Sequence, residues 1–366
     1  MKKILITGGP VHAYLDDVKI ISNRFKGGLM CALAQDLASY DTQITYLCAP
    51  SVGAKVPEQN TRIKVIQHQG FSDYREQVLE IAPLMDCVIL GAAVANLIPF
   101  NPIKGKFPSH NFKVGDIIRL NFTIAPRVID EVKQFAPHAQ LFGFKLLSGA
   151  SHRELISSAY DSIVKSHATA IFANDTKNLQ QKFAVTKESG VHPLSQQEMS
   201  SWIWDMLNDV YYQTIFMAEE VIGVETAEKI QRYINRYREY FQSTKEGRIF
   251  GCVAIRHKSG FITTTRGKSE LDKFVFVRDV DHERKFVYVA SPNTKASLNA
   301  PLLAQLFENP LVDVIVHYHE QITIGLQAYK YAPPGTVRDT TRPNTKSFGI
   351  EGHGTMLLFD KEGRQL

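Results

Sequence analysis

Short apolar runs alternate with amphipathic segments along the first half of the chain. The runs predict strands at 3–6, 43–48, 63–67, 87–90, 141–144 and 170–173. Between them, apolar positions at helical spacing predict helices at 28–39, 74–81 and 152–166. This alternation predicts an α/β fold with a doubly wound, Rossmann-like, mostly parallel sheet. Ligands bind such sheets at the carboxyl ends of the strands.

The pattern changes in the second half. Residues 204–240 are amphipathic, and their aromatic and Met residues are spaced along the sequence for packing. This pattern predicts a helix. Strand-like runs follow at 249–255, 260–264, 273–278, 285–290, 312–316 and 356–359. With 366 residues, the chain is long enough for two domains. We place them at 1–212 and 213–366.

Composition narrows the class of protein. With 44% hydrophobic and 22% charged residues the chain is globular, and its net charge of +5 suits anionic small substrates. No cluster of Lys and Arg is dense enough to predict nucleic-acid binding. The apolar run at 87–95 is far shorter than the roughly 20 residues of a membrane span. The four scattered cysteines are typical of reduced core residues, so we expect a cytoplasmic protein without membrane contact.

The first thirty residues carry the strongest local signal. The run Ile4 to Pro10 is a strand that breaks into a Gly8-Gly9 turn, and Ile21-Ser22-Asn23-Arg24 is followed by Gly27-Gly28 and an apolar helix start. A strand, a glycine-rich loop and a helix start direct backbone N–H groups toward a phosphate. Neither the dinucleotide fingerprint nor a P-loop is present here.

Further motifs follow the later strands in order. They are Ala92-Ala93-Val94-Ala95-Asn96, Ile103-Lys104-Gly105-Lys106, Phe142-Gly143-Phe144-Lys145 and Ala173-Asn174-Asp175. Together with the N-terminal pattern, they resemble the phosphopantothenate–cysteine ligase family over about residues 1–212. The resemblance implies a carboxylate–amine ligase of coenzyme A biosynthesis, which uses CTP or ATP with Mg²⁺ and forms an acyl-nucleotide. Its substrates would be a small carboxylic acid and an amine.

The resemblance also assigns residues. Asn23, Lys106 and Lys104 match catalytic positions. The nucleotide-binding positions are Gly8, Gly9, Ser22, Gly27, Ala92, Ala93, Asn96, Phe144 and Lys165. The chain departs from the family at Val11-His12-Ala13, at Phe25-Lys26-Gly27-Gly28 and at Ser162, which leaves open the acid and the choice between CTP and ATP.

Three histidines in the second half have a spacing that suits a metal site. His317 and His319 lie two residues apart on a strand and point to one face, and His353 follows in Glu351-Gly352-His353-Gly354. Three imidazoles with an open position suit a Zn²⁺ ion or another divalent metal.

These histidines belong to a second resemblance, to the class II aldolase/adducin family over about residues 215–366. It rests also on the runs from Gly247 to Gly251, from Phe261 to Gly267 and from Pro310 to His319. Cys252 is a departure, because the family has an asparagine at this position. The resemblance implies an α/β domain with a central antiparallel sheet, metal ligands His317, His319 and His353, and anion binding by Thr264, Thr265 and Gly267.

A second departure affects the chemistry of this domain. The acid/base glutamate of the aldolase family falls at Leu298, so the usual base is missing. Glu320, Glu351 or a residue of the loop at 331–336 are candidate substitutes. Four hypotheses remain open for the function of the chain. They are a ligase with an additional metal-dependent step, a ligase with a scaffold domain, a catalytically silent metabolite-binding protein, and a metal-dependent lyase. Both families form homo-oligomers, and we expect one here.

Overall fold

The computed structural model describes residues 1–50, 53–188, 190–244, 247–320, 325–343 and 345–366. The chain forms two compact units. The first unit contains Met1–Lys187 and Pro193–Leu207, and the second contains Glu188–His192 and Asn208–Leu366. The helices in these ranges are too short or too polar to cross a lipid bilayer.

The first unit is an α/β layer structure. Its principal strands are β1 (Lys2–Thr7), β2 (Thr42–Cys48), β3 (Ile63–Gln67), β4 (Cys87–Leu90), β5 (Gln140–Leu147), β6 (Ala170–Asp175) and β7 (Asn178–Thr186). Its helices are α1 (Gly28–Leu37), α2 (Gly70–Ile81), α3 (Ile129–Phe135), α4 (His152–Ser166) and α5 (Glu198–Asn208, whose last residue falls in the second unit). Strand β8 (Val191–Leu194) has residues in both units.

Strand β8 and the seven principal strands form an eight-stranded sheet in the order β8-β7-β6-β5-β4-β1-β2-β3. All neighbours from β6 to β3 are parallel, and β7 runs antiparallel to β6. The prediction of a mostly parallel, Rossmann-like sheet is therefore confirmed. The order of connection reverses between β1 and β4, and at such a switch point a crevice opens at the carboxyl ends of the strands.

Alternate residues of the central strands explain why both faces of this sheet are covered. Leu5 of β1 and Val88 of β4 point into a cluster formed with α2, α3 and α4. Ile4 and Ile6 point to the other face, into a cluster with α1 and α5. A strand that is buried on both sides needs apolar residues on both faces, which is why the centre of β1, Ile4–Ile6, and the whole of β4 are apolar runs in the sequence.

The second unit is built on a nine-stranded mixed sheet. Its strands are β9 (Gln213–Phe216), β10 (Cys252–His257), β11 (Gly260–Thr264), β12 (Phe274–Asp281), β13 (Phe286–Val289), β14 (Val314–Tyr318), β15 (Ala328–Tyr329), β16 (Phe348–Ile350) and β17 (Gly354–Phe359). They lie in the order β9-β13-β12-β11-β10-β14-β17-β16-β15. The β9–β13 and β15–β16 pairs are parallel, and the strands between β13 and β16 pair antiparallel.

Helices α6 (Val224–Arg236) and α7 (Ala300–Phe307) cover the two faces of this sheet. Ile230 and Ile234 of α6 join one hydrophobic cluster, and Leu302 and Leu306 of α7 join the other. The prediction of continuous helix over 204–240 is wrong, because strand β9 lies between α5 and α6. Its Thr214 and Ile215 pair with β13, and this long-range pairing overrides the local helical pattern.

A buried ion pair lies in the second unit. Arg342 Nη2 is 2.9 Å from Asp339 Oδ1, and both side chains are almost completely buried, with exposures of 4% and 1%. Arg342 also donates to the carbonyl oxygen of Lys330 at 3.1 Å. Burial raises the pKa of Asp339 to about 6, although the guanidinium of Arg342 opposes the shift.

Candidate functional site

A cleft of about 710 Å³ opens at the switch point of the first unit. Gly9, just after β1, lines it on one side, and Leu90 to Val94, at the end of β4, line it on the other. The two segments are held together because the N–H of Ala93 donates to the Gly9 carbonyl at 2.9 Å. This volume is in the range of pockets for small molecules and cofactors.

One wall of the cleft is a backbone cradle formed by Gly9 and Gly27. Gly27 has a φ of +84°, and a Cβ atom at this position would lie 2.6 Å from the Gly9 nitrogen. The two peptide segments therefore approach each other as only glycine allows. Helix α1 begins at the next residue, Gly28, so the free N–H groups and the positive end of the helix face the cleft. Such a cradle suits a phosphate.

The charged side chains that line the cleft are all positive. They are Lys26, Arg127, Lys145 and Lys182, and the described lining residues include no Asp or Glu. Lys182 is only 2% exposed, and its ammonium donates to the Leu179 carbonyl at 2.7 Å. Arg127 donates to Ser162 Oγ at 3.4 Å, and its Nη1 pairs at 3.3 Å with Oδ2 of Asp130, which lies outside the lining. A cleft with four cations and no described acid favours a ligand with several negative charges.

Seven of the residues assigned from the sequence line this cleft: Gly9, Asn23, Gly27, Ala92, Ala93, Asn96 and Phe144. Asn23 Nδ2 donates to the Val94 carbonyl at 2.8 Å, which fixes the amide beside β4. Phe144 is half-buried and packs on Phe172, with ring centroids 5.2 Å apart. Their roles in binding or catalysis stay predictions.

Five other assigned residues do not line the cleft: Gly8, Ser22, Lys104, Lys106 and Lys165. Lys104 and Lys106 are exposed, in a segment that is fixed by a hydrogen bond from the Phe107 N–H to Asp16 Oδ2 at 2.8 Å. Lys165 is exposed on α4.

Gly8 and Ser22 have other contacts. A Cβ atom on Gly8 would lie 2.0 Å from the hydroxyl of Tyr46, so the absence of a side chain at Gly8 lets the Tyr46 ring pack against this turn. Ser22 Oγ is 3.0 Å from His12 Nδ1.

Sequence reasoning missed two of the four charged residues that line the cleft. Lys26 and Ser162 were noted only as departures from a motif, whereas Arg127 and Lys182 were not identified. Arg127 follows Pro126 just before α3, and Lys182 lies within β7. No local motif marks either position, and only the topology brings them to the switch point.

His68 lies fully buried beside the cleft wall, edge-on to Tyr74 with ring centroids 5.2 Å apart. Neither ring nitrogen has a hydrogen-bond partner among the described residues. Burial lowers the pKa of His68 from about 6.5 to about 4, although Asp73 opposes the shift. The imidazole is therefore neutral in the folded protein at pH 7.

This burial predicts an acid-dependent loss of stability. Between pH 6.5 and 4 the unfolded chain binds a proton at His68 that the folded protein does not, so the free energy of unfolding falls as the pH decreases. We expect His68 to account for about 2 kcal/mol of the loss over this window. Denaturant unfolding of wild type and His68→Leu at pH 7 and pH 4.5 measures it. Equal losses in the two proteins would contradict the prediction.

The second unit brings together the three predicted metal-ligating histidines. The candidate ligand atoms of His317, His319 and His353 lie within 4.8 Å of one another. His317 Nδ1 is 3.0 Å from the Thr355 carbonyl, to which it donates, and this leaves Nε2 free to face its neighbours. Burial lowers the pKa of His317 to about 4 and that of the other two well below the ordinary value. Neutral, converging imidazoles of this kind could hold a metal ion.

A small pocket adjoins the histidine cluster and is lined by His319 and His353. Of the predicted anion-binding residues, Thr265 and Gly267 line this pocket, whereas Thr264 is buried at the end of β11. Leu298 lines it too. The acid that the described lining contains is Glu188, which the sequence did not suggest. Glu320 and Glu351, the candidate substitutes for the missing base, do not line it.

A family model matches the part of the chain that contains the first unit. The sequence model of the DNA/pantothenate metabolism flavoprotein C-terminal domain matches residues 1–207. The coenzyme A biosynthesis bifunctional protein CoaBC of Thermococcus kodakarensis is 27% identical over 176 residues, which are 48% of this chain and 42% of that protein. CoaBC of Bacillus subtilis is 24% identical over 176 residues, 48% of this chain and 41% of that protein. The chain thus spans less than half the length of these relatives.

The DNA/pantothenate metabolism flavoprotein from Streptococcus pneumoniae is a solved structure of similar fold. It aligns with a TM-score of 0.50 and 21% identity, over 57% of this chain and 98% of that one. At this identity the likeness shows the fold alone. The match to the family model ends at residue 207, so the resemblance of the second unit to class II aldolases stays a prediction.

These findings correct the predicted function and cofactors. The matching family is described as a flavoprotein family of pantothenate metabolism, which overturns the prediction of a CTP- or ATP-dependent ligase and of CTP or ATP with Mg²⁺ as its cofactor. The comparisons do not support Zn²⁺, an aldolase-like lyase or a silent binding protein either. Homo-oligomerisation and cytoplasmic location stay predictions.

Proposed function

The chain belongs to the DNA/pantothenate metabolism flavoprotein C-terminal domain family, and we propose that its first unit binds a phosphorylated, pantothenate-derived substrate as part of an enzyme of coenzyme A biosynthesis. The observation that carries the proposal is the cleft at the switch point, with its four cationic side chains and no Asp or Glu among the described lining residues. Substrates of this class carry a phosphate and a carboxylate or amide, and so match this charge.

The cleft offers distinct contacts for the two ends of such a substrate. The cradle of Gly9 and Gly27 would receive the phosphate, assisted by the N-terminus of α1 and by Lys26. Arg127 and Lys182 line the same cleft and would pair with a carboxylate. Asn23, held by the Val94 carbonyl, would bind an amide or carbonyl oxygen between them.

The family description also points to a flavin. The half-buried ring of Phe144 and the apolar residues from Leu90 to Ala93 would contact its ring system. A bound flavin would supply two-electron redox chemistry. The protein would contribute binding, orientation and the positive charge that holds the anionic substrate.

Binding of 4′-phosphopantothenate and of FMN to the full chain tests the proposal by calorimetry. We expect Arg127→Gln to weaken binding of 4′-phosphopantothenate about fivefold, because a charge-assisted contact at a solvent-exposed position is worth about 1 kcal/mol. Arg153→Gln is the matched control, since Arg153 is exposed on α4, outside the cleft, and the charge change is the same.

Each outcome decides one part of the proposal. Equal weakening by both variants would mean that net charge, not the cleft, attracts the ligand, and would contradict the site. Binding of 4′-phosphopantothenate without binding of FMN would contradict the flavin assignment alone. Binding of CTP in the cleft, without any binding of FMN, would overturn the flavin assignment in the same way.

A further inference from the structure

Lys182 is a buried amine at one end of the cleft in the first unit. It lies in β7, lines the cleft and is only 2% exposed. Its neighbour Phe183 pairs with Ala173, so Lys182 lies beside the carboxyl end of β6, and such strand ends face the cleft. Its ammonium donates to the Leu179 carbonyl at 2.7 Å. The described residues that line the cleft include no Asp or Glu, so the cleft wall supplies no carboxylate to this amine.

Burial favours the neutral form of the Lys182 side chain. Desolvation lowers the pKa of Lys182 below its ordinary value, because an ammonium group is less stable away from water. At neutral pH, a larger fraction of this lysine is therefore unprotonated than of a lysine in solution. Only the unprotonated amine has the lone pair with which nitrogen attacks a carbonyl carbon. The surroundings of Lys182 thus favour its reaction as a nucleophile.

The phosphate cradle of Gly9 and Gly27 lies at the other end of the cleft. Gly9 follows β1, and the strand order β7-β6-β5-β4-β1 places four strand spacings between this strand and the strand of Lys182. At about 4.8 Å each, these spacings amount to roughly 19 Å. The lysine side chain extends along four methylene groups and spans part of this distance. A ligand that connects the two ends must therefore be long and narrow.

A thioester of 4′-phosphopantetheine has the required length. An extended chain advances about 1.2 Å per bond, as in a peptide, so the roughly 13 bonds between its phosphorus and sulfur atoms reach about 15 Å. With the phosphate in the cradle, the thioester carbon would lie within reach of the Lys182 amine. We propose that Lys182 is an acylation site for thioesters of 4′-phosphopantetheine, an inference that rests on the proposed function of the cleft.

The reaction transfers an acyl group from sulfur to nitrogen. The neutral amine attacks the thioester carbon, a C–N bond forms and the C–S bond breaks. The proton of the amine passes to the departing thiolate, so the products are an amide on Lys182 and the free thiol of 4′-phosphopantetheine. The amide is neutral, and acylation therefore removes one of the four positive charges of the cleft. We expect this loss to weaken the binding of anionic ligands.

Peptide mapping by mass spectrometry, after incubation of the full chain with S-acetyl-4′-phosphopantetheine, tests this site. Lys182 should be acetylated about tenfold faster than Lys177, because the cradle holds the thioester beside it. Lys177 is the internal control, since it is exposed and lies outside the cleft. S-acetylpantetheine, which lacks the phosphate, should show no preference for Lys182. Gly27→Ala should abolish the preference, whereas Gly223→Ala, outside the cleft, should retain it.

The opposing outcomes are equally specific. Equal acetylation of Lys182 and Lys177 would overturn the proposal, and so would equal reaction of Lys182 with the two thioesters. If acetyl phosphate acetylates Lys182 as fast as the phosphorylated thioester does, the assignment to a thioester is wrong. Calorimetry with 4′-phosphopantetheine separates this inference from the proposed function. Binding without acetylation of Lys182 contradicts the acylation site alone, and absence of binding contradicts both.

Discussion

Gly27→Ala is expected to weaken binding of 4′-phosphopantothenate to the first unit about 100-fold, which corresponds to about 3 kcal/mol. The new Cβ atom would lie 2.6 Å from the Gly9 nitrogen and 2.8 Å from its Cα, and both are backbone atoms that no rotamer change can move. The φ of +84° adds strain for any residue with a side chain. Calorimetric titration of the full chain measures the effect.

Gly223→Ala is the control for this change. Gly223 precedes helix α6 as Gly27 precedes α1, but it does not line the cleft, and a Cβ atom there would have no neighbour within 4 Å. Gly223→Ala should therefore fold and bind like the wild type. If Gly27→Ala binds as tightly as Gly223→Ala, the cradle does not hold the phosphate. Far-ultraviolet circular dichroism of both variants separates a loss of binding from a loss of fold.

Arg342→Ala is expected to lower the free energy of unfolding of the second unit by about 3–5 kcal/mol, because it leaves a buried charge without its partner. Asp339 is 1% exposed and its ion pair with Arg342 is buried with it. The variant also removes a donor to the Lys330 carbonyl. Denaturant unfolding followed by tyrosine fluorescence and circular dichroism measures the loss.

Two further variants test the cause of this loss. Arg342→Met with Asp339→Leu replaces the pair by apolar side chains, and should recover most of the stability. Arg364→Ala breaks an ion pair with Asp360 in which the arginine is 74% exposed, and should change stability little. A double variant as unstable as Arg342→Ala would show that lost packing, not an unpaired charge, destabilises the protein.

Periodicity predicted the fold of the first unit because its strands are buried on both faces. Strand β4 and helix α4 have the predicted bounds, Cys87–Leu90 and His152–Ser166. A fully apolar run between helices allows few alternatives to a parallel strand. In the second unit, β9 has exposed or half-buried residues at all its positions, so no apolar alternation marks it and it was taken for helix.

The candidate sites were predictable where the chemistry is local. The glycines of the cradle and the three histidines are marked by their residue types, and the structure brings each set together. Arg127 and Lys182 could not be found in this way, because an isolated cation in a sequence has no spacing to interpret. Lys104 and Lys106 show the converse: they follow a motif, yet they lie exposed outside the cleft.

Each unit of the chain has two hydrophobic clusters of its own, one on each face of its sheet. Residues that pack in the same hydrophobic core unfold together. Because each unit has its own clusters, heating should give two calorimetric transitions rather than one. A single melting temperature for the whole chain would then average two events. The effects of Arg342→Ala and His68→Leu therefore belong to different transitions, and each must be assigned to its own before any free energy is compared.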